Sequence, residues 1–190
     1  MGVVLIIVLG APSTLAAAAV RLQTLVSYLL ATYLAAFAEI VLLAVVLSPF
    51  SAFDRTGVAV VELALLVVAV AVWWATGRPR PPRRQLDRGV LRDPILLALS
   101  AAVLIAIGLE LILGAVATPN TWDSLTYHLA RAAWWGQHGG VEWIPNVLDE
   151  RQNAFPVNAE VAVLYTLVGA GSERLAALPQ WRGLTITEVN

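Results

Sequence analysis

Leu25 to Leu47 read "LVSYLLATYLAAFAEIVLLAVVL", with Glu39 as the single charge and no glycine or proline to interrupt a helix. A helix needs about 20 mostly apolar residues to cross the hydrocarbon core of a bilayer, and this run supplies them. Working outward, "VAVVELALLVVAVAVWW" (Val58 to Trp74) and "PILLALSAAVLIAIGLELILGAV" (Pro94 to Val116) meet the same requirement. A fourth run, Val3 to Val20, is divided by "APST" at Ala11 to Thr14. It reads as a span rather than a signal peptide, because its start lacks the basic n-region of one. The expected fold is all-α: a polytopic integral membrane protein with three or four spans, at about 3–20, 25–47, 58–74 and 94–116, and an exoplasmic amphipathic helix.

Composition leads the same way. The 190 residues are 59% hydrophobic and 13% charged, where soluble domains carry about 25% charged residues. The net charge of −1 offers no basic excess, so the expected partner is the lipid bilayer and not nucleic acid. All basic residues are arginine, and there is no cysteine, which excludes disulfides, zinc thiolates and a cysteine nucleophile.

Arginine also sets the expected topology. The linker "GRPRPPRRQLDRGVLRD", 77–93, carries six arginines against two aspartates, and its prolines break any continuous helix. The positive-inside rule places this loop in the cytoplasm. Arg21 then falls on the inner side, and Trp73 and Trp74 close their span at the inner interface. The span at 94–116 exits to the outer face of the plasma (inner) membrane, and 118–158 forms an exoplasmic loop.

That loop opens with "NTWDSLTYHLARAAWWGQHGG", Asn120 to Gly140. Asn120 can cap a helix, and Asp123 follows where an acid meets the orphan amides and the helix dipole. At 100° per residue, Asp123, Tyr127, Arg131, Trp134 and His138 fall in one arc, extended by Trp135 and His128. Trp122, Leu125, Leu129 and Ala133 lie opposite. This is an amphipathic helix suited to the outer membrane surface. Its polar face has the parts for glycosyl or phosphoryl transfer. A carboxylate accepts the proton of an attacking hydroxyl, arginine binds phosphate through its planar fork, and aromatic rings stack on sugars. Each residue also has a plainer reading. Asp123 can be an N-terminal helix acid, and Trp134, Trp135 and Trp143 interfacial anchors. His128 and His138 can be hydrogen-bonded surface residues, and Asp149 and Glu150 solvated loop acids.

Beyond Gly140 an irregular segment with Pro145 and Pro156 leads to "AEVAVLYTLVGAG", Ala159 to Gly171, whose length suits a re-entrant or interfacial piece. The region 159–190 reads as a partial further membrane segment that ends in an atypical polar tail, "RGLTITEVN". Glu39, Glu62 and Glu110 lie inside spans. Intramembrane acids are costly and are functional candidates by default. They can line a cavity, be protonated, or pair with other groups.

The segment "NTWDSLTYHLARAAWW" resembles the first exoplasmic loop of the GT-C superfamily of membrane glycosyltransferases, in the branch of protein mannosyltransferases and lipid A aminoarabinose transferases. The resemblance rests on Trp122 to Leu129, then Arg131, Trp134 with Trp135, Arg151 to Asn153, and Phe155 to Glu160, and extends to about Trp181. It implies transfer of a sugar from a polyprenyl-phosphate donor to an acceptor of unspecified identity on the exoplasmic face. It implies Asp123 as the general base, Arg131 and Arg151 on the lipid phosphate, and Tyr127 and His128 shaping the site. Gln152 and Glu160 match further motif positions on the substrate side. No cofactor is implied, and a divalent metal is left open. Two departures are Val157, where a second proline is common, and the tail, where relatives continue into more spans. The expectation is therefore an N-terminal fragment, inactive alone. The alternative is a non-enzymatic small membrane subunit or transporter-like protein that uses the three intramembrane acids.

Overall fold

A computed structural model describes residues 2–82, 92–116 and 122–171, and all of its regular elements are helical. The proposed Asn120 cap, the middle of the arginine-rich linker and the tail fall outside the described residues. Helix α1 is Gly2–Ala19, α2 is Leu25–Leu47, α3 is Arg55–Ala75 and α4 is Pro94–Val116. A π-helical turn, Ser124–His128, runs into α5, Leu129–His138. The short α6, Arg151–Ala154, and then α7, Asn158–Ala170, complete the described chain.

Local chemistry fixes the helix ends. Thr24 accepts the Ser27 amide at 3.1 Å to start α2, and Asp54 accepts the Gly57 amide at 2.8 Å to start α3, each satisfying an orphan donor. The expected break in the first run does not occur. Helix α1 passes continuously through Pro12. A proline removes one intrahelical hydrogen bond, but a nearby hydroxyl binds the backbone: Thr14 Oγ1 donates to the Ala11 carbonyl at 2.8 Å.

Among the described residues, two helices are long and apolar enough to cross a membrane, Leu25–Phe50 (α2 with its 3₁₀ extension) and Arg55–Ala75. Both carry large apolar side chains outward, among them Val26, Leu29, Leu34, Val60, Leu63 and Val67. Along α4, Ile95, Leu99, Val103, Leu104 and Leu113 are likewise exposed. Helices α1, α2 and α3 pack together, and α7 packs against α1, α2 and α5. The core where they meet holds Leu43, Phe53, Val58, Trp135, Leu164 and Tyr165.

The bundle has two distinct ends. At one, the Arg21 guanidinium donates to the Thr76 carbonyl. At the other, the 48–53 turn is latched to the end of α5. Phe53 N donates to the Gly139 carbonyl at 2.7 Å, and Val141 N donates to Ser48 Oγ at 2.8 Å. Gly139 takes φ +74°, a left-handed cap that favours glycine.

Candidate functional site

The motif helix turns its polar-aromatic face inward onto α7 and α6. Ser124, Tyr127, Arg131 and Trp135 are buried, while Trp122 and Leu125 on the opposite side are exposed. The single arc of the straight-helix reading therefore divides. Asp123 lies at the exposed edge, Arg131 inside, and His138 exposed and stacked on Trp134 at 3.7 Å between centroids. Trp135 is not a surface anchor. It is 2% exposed, and its Nε1 donates to the Glu142 carbonyl at 2.8 Å.

Arg131 is fully buried and its fork is committed to backbone. Nη2 donates to the Arg151 carbonyl at 2.7 Å and Nη1 to the Phe155 carbonyl at 3.1 Å. Nη1 also lies 3.5 Å from Glu160 Oε2. Glu160 is itself buried, with Oε1 2.7 Å from His128 Nδ1. Arg131, Glu160 and His128 thus form an internal strut that holds the α6 loop against the motif helix. A phosphate cannot reach the Arg131 guanidinium in this arrangement.

Arg151 is different. Its side chain is 34% exposed and reaches Asp123 Oδ1 at 2.9 Å and Asp149 Oδ2 at 2.6 Å, with Thr126 Oγ1 at 3.3 Å. Its Cζ lies 4.8 Å from the centre of the Tyr127 ring, a cation–π contact. The guanidinium holds the Asp149 carboxyl below the usual aspartate range, and Asp149 holds Arg151 above its already high value. Asp149 is therefore more than a solvated loop acid. Asp123 makes no side-chain cap hydrogen bond to the π turn. Its carboxylate points to Arg151 and is 62% exposed. Burial pushes the Tyr127 phenol above its usual value, with Asp123 and Glu160 pushing the same way. Tyr127 packs against His128 and, edge-on, against Phe155.

The "RQN" of α6 supplies the remaining ties. Gln152 Nε2 donates to the Thr126 carbonyl at 2.9 Å, so it serves as a brace. Asn153 pairs with Ile144 through both backbone groups, accepting at 3.1 Å and donating at 2.9 Å. Of the residues singled out in the sequence, Asp123 and Arg151 meet at an open edge, Tyr127 lies beneath Arg151, and His128, Arg131 and Glu160 meet inside. Sequence reading took Asp149 for a solvated loop acid and did not single out Thr126. The signal for Asp149 was its place two residues before Arg151.

The intramembrane acids separate as well. Glu39 and Glu62 are buried, whereas Glu110 is exposed on α4. Ser13 Oγ donates to Glu39 Oε2 at 2.9 Å, and the Tyr165 hydroxyl donates to Glu62 Oε1. Among the described residues, no three His, Cys, Asp or Glu side chains cluster as a metal site. Comparison with protein-family models, curated proteins and solved structures yields no match.

Proposed function

We propose that this is a polytopic membrane protein of glycosyltransferase type, which moves a sugar from a polyprenyl-phosphate donor to an acceptor hydroxyl on the exoplasmic face. The observation that carries this reading is the exposed Asp123 carboxylate, 2.9 Å from the half-buried Arg151 guanidinium, on a scaffold stiffened by the Arg131–Glu160–His128 strut. Apolar side chains facing outward with carboxyls inside support the membrane setting, because large exposed apolar patches are rare on soluble monomers. The arginine-rich linker on the cytoplasmic side puts α4 across the membrane and the Asp123 edge outside. The separation of the Arg21–Thr76 end from the Ser48–Val141 end agrees with that orientation.

The donor phosphate takes the Arg151 fork and displaces Asp123 from it. The freed carboxylate accepts the proton of the acceptor hydroxyl as its oxygen attacks the anomeric carbon. The bond from that carbon to the phosphate oxygen breaks, and polyprenyl phosphate leaves with the electron pair, its charge balanced by Arg151. Arg131 acts as a positioning residue, and Tyr127 supplies a ring face beneath the guanidinium.

In bilayers charged with a labelled polyprenyl-phosphate sugar, and with this chain joined to the further spans that the family resemblance implies, Asp123→Ala lowers transfer by roughly 100-fold or more, the usual scale for losing a general base, and Glu110→Gln leaves it unchanged. Transfer that survives Asp123→Ala undiminished would overturn Asp123 as the base.

A further inference from the structure

Glu39 on α2 and Glu62 on α3 share a feature that the transfer reaction does not use. Each is more than nine-tenths buried, at 7% and 0% exposure. Each has one carboxylate oxygen bonded, to Ser13 and to Tyr165. The other oxygen in each, Glu39 Oε1 and Glu62 Oε2, has no hydrogen-bond partner among the described residues. Both lie in the interior where α1, α2, α3 and α7 pack together. Two unpaired anions in an apolar interior are costly unless they are neutralised.

No cation among the described residues supplies that neutralisation. Helix α1 carries no charged residue, and α2 carries only Glu39. Helix α3 adds Arg55 in its first turn, about 10 Å along the axis from Glu62, and Arg55 donates to the Val168 carbonyl at 3.0 Å. On α7 the remaining charge is Glu160, engaged by His128 and Arg131. Cation ligation would need a shell of oxygens, about six for common hard ions. The pair offers two free carboxylate oxygens, and the neighbouring Ser13 and Tyr165 hydroxyls already donate to the carboxyls.

We propose that Glu39 and Glu62 form a proton-binding site inside the α1–α2–α3–α7 bundle, each orphan oxygen carrying a proton taken from water at neutral pH. Binding two protons turns two carboxylates into two neutral carboxyls. The Tyr165 hydroxyl still donates to Glu62, so α7 stays tied to α3.

The test is infrared spectroscopy of the full chain in phospholipid vesicles, with Glu110→Gln as the background so that the exposed acid on α4 does not contribute. The expected result at neutral pH is a carbonyl-stretch band of undissociated carboxyl. It weakens in Glu39→Gln and in Glu62→Gln, disappears in the double variant and is indifferent to sodium or potassium. Absence of the band at neutral pH, or its appearance only after sodium and potassium are removed, overturns the proposal; the second result would make the pair a metal-cation site. If the glutamine variants fail to fold, the Glu110→Gln chain decides alone. A band that persists above neutral pH supports the proposal, and one that vanishes below neutral pH defeats it.

Discussion

Arg131 and Arg151 lie twenty positions apart and do opposite work. Arg131 is sealed inside with its donors on the Arg151 and Phe155 carbonyls and beside Glu160. Arg151 is open and bonded to acids. Removing Arg131 leaves a buried carboxylate short of its partner, so Arg131→Met destabilises the fold by about 3–5 kcal/mol in reversible unfolding monitored by circular dichroism. Arg131→Lys does not restore the loss, because an ammonium cannot satisfy two carbonyls with a planar fork. Sequence placed both arginines in one chemical class, since residue type alone carries no information about burial. The wheel projection grouped Asp123 and Arg131 because it gives direction around the axis and not what covers each turn: the α6 loop and Glu160 close on Arg131 and leave Asp123 at the edge. A π turn at Ser124–His128 lies between them, and nothing in "SLTYH" announces it.

Among the elements, the helices were the most legible part of the chain. The run Leu25–Leu47 matches α2 residue for residue, and the run beginning at Pro94 matches α4. Long apolar runs leave the backbone no partner but itself. Proline was the misleading signal in α1, where the Thr14 hydroxyl takes up a backbone carbonyl beside Pro12. The latch between α5 and the 48–53 turn was invisible in sequence, because it depends on two glycines meeting a distant turn. A Cβ on Gly139 would sit 2.3 Å from the Ser51 carbonyl oxygen, at φ +74°. Gly139→Ala therefore destabilises the latch, read as faster amide hydrogen exchange at Phe53 and Val141 than in the parent chain. Unchanged exchange there would mean that the latch does not hold the turn.

For the whole molecule, α2 and α3 turn apolar surface outward around an interior that contains carboxyls. Composition made the all-helical class legible. It could not show which acids turn inward, since Glu39 and Glu62 find Ser13 and Tyr165 across long sequence separations. The absence of cysteine makes single-cysteine labelling clean. Leu148→Cys, at a fully exposed loop position, reacts from outside sealed cells with a membrane-impermeant thiol reagent. Arg80→Cys reacts only after permeabilisation. The reverse pattern would invert the proposed orientation.

The donor end of the site admits the most direct test. A photoactivatable polyprenyl phosphate is presented to the bilayer-reconstituted chain, and the crosslinked peptides are mapped. The account predicts crosslinks within 122–155 that are strongly reduced in Arg151→Gln and retained in Glu110→Gln. Crosslinking that survives Arg151→Gln undiminished, or that falls outside this segment, would contradict a phosphate site at Arg151 and with it the glycosyl-transfer reading.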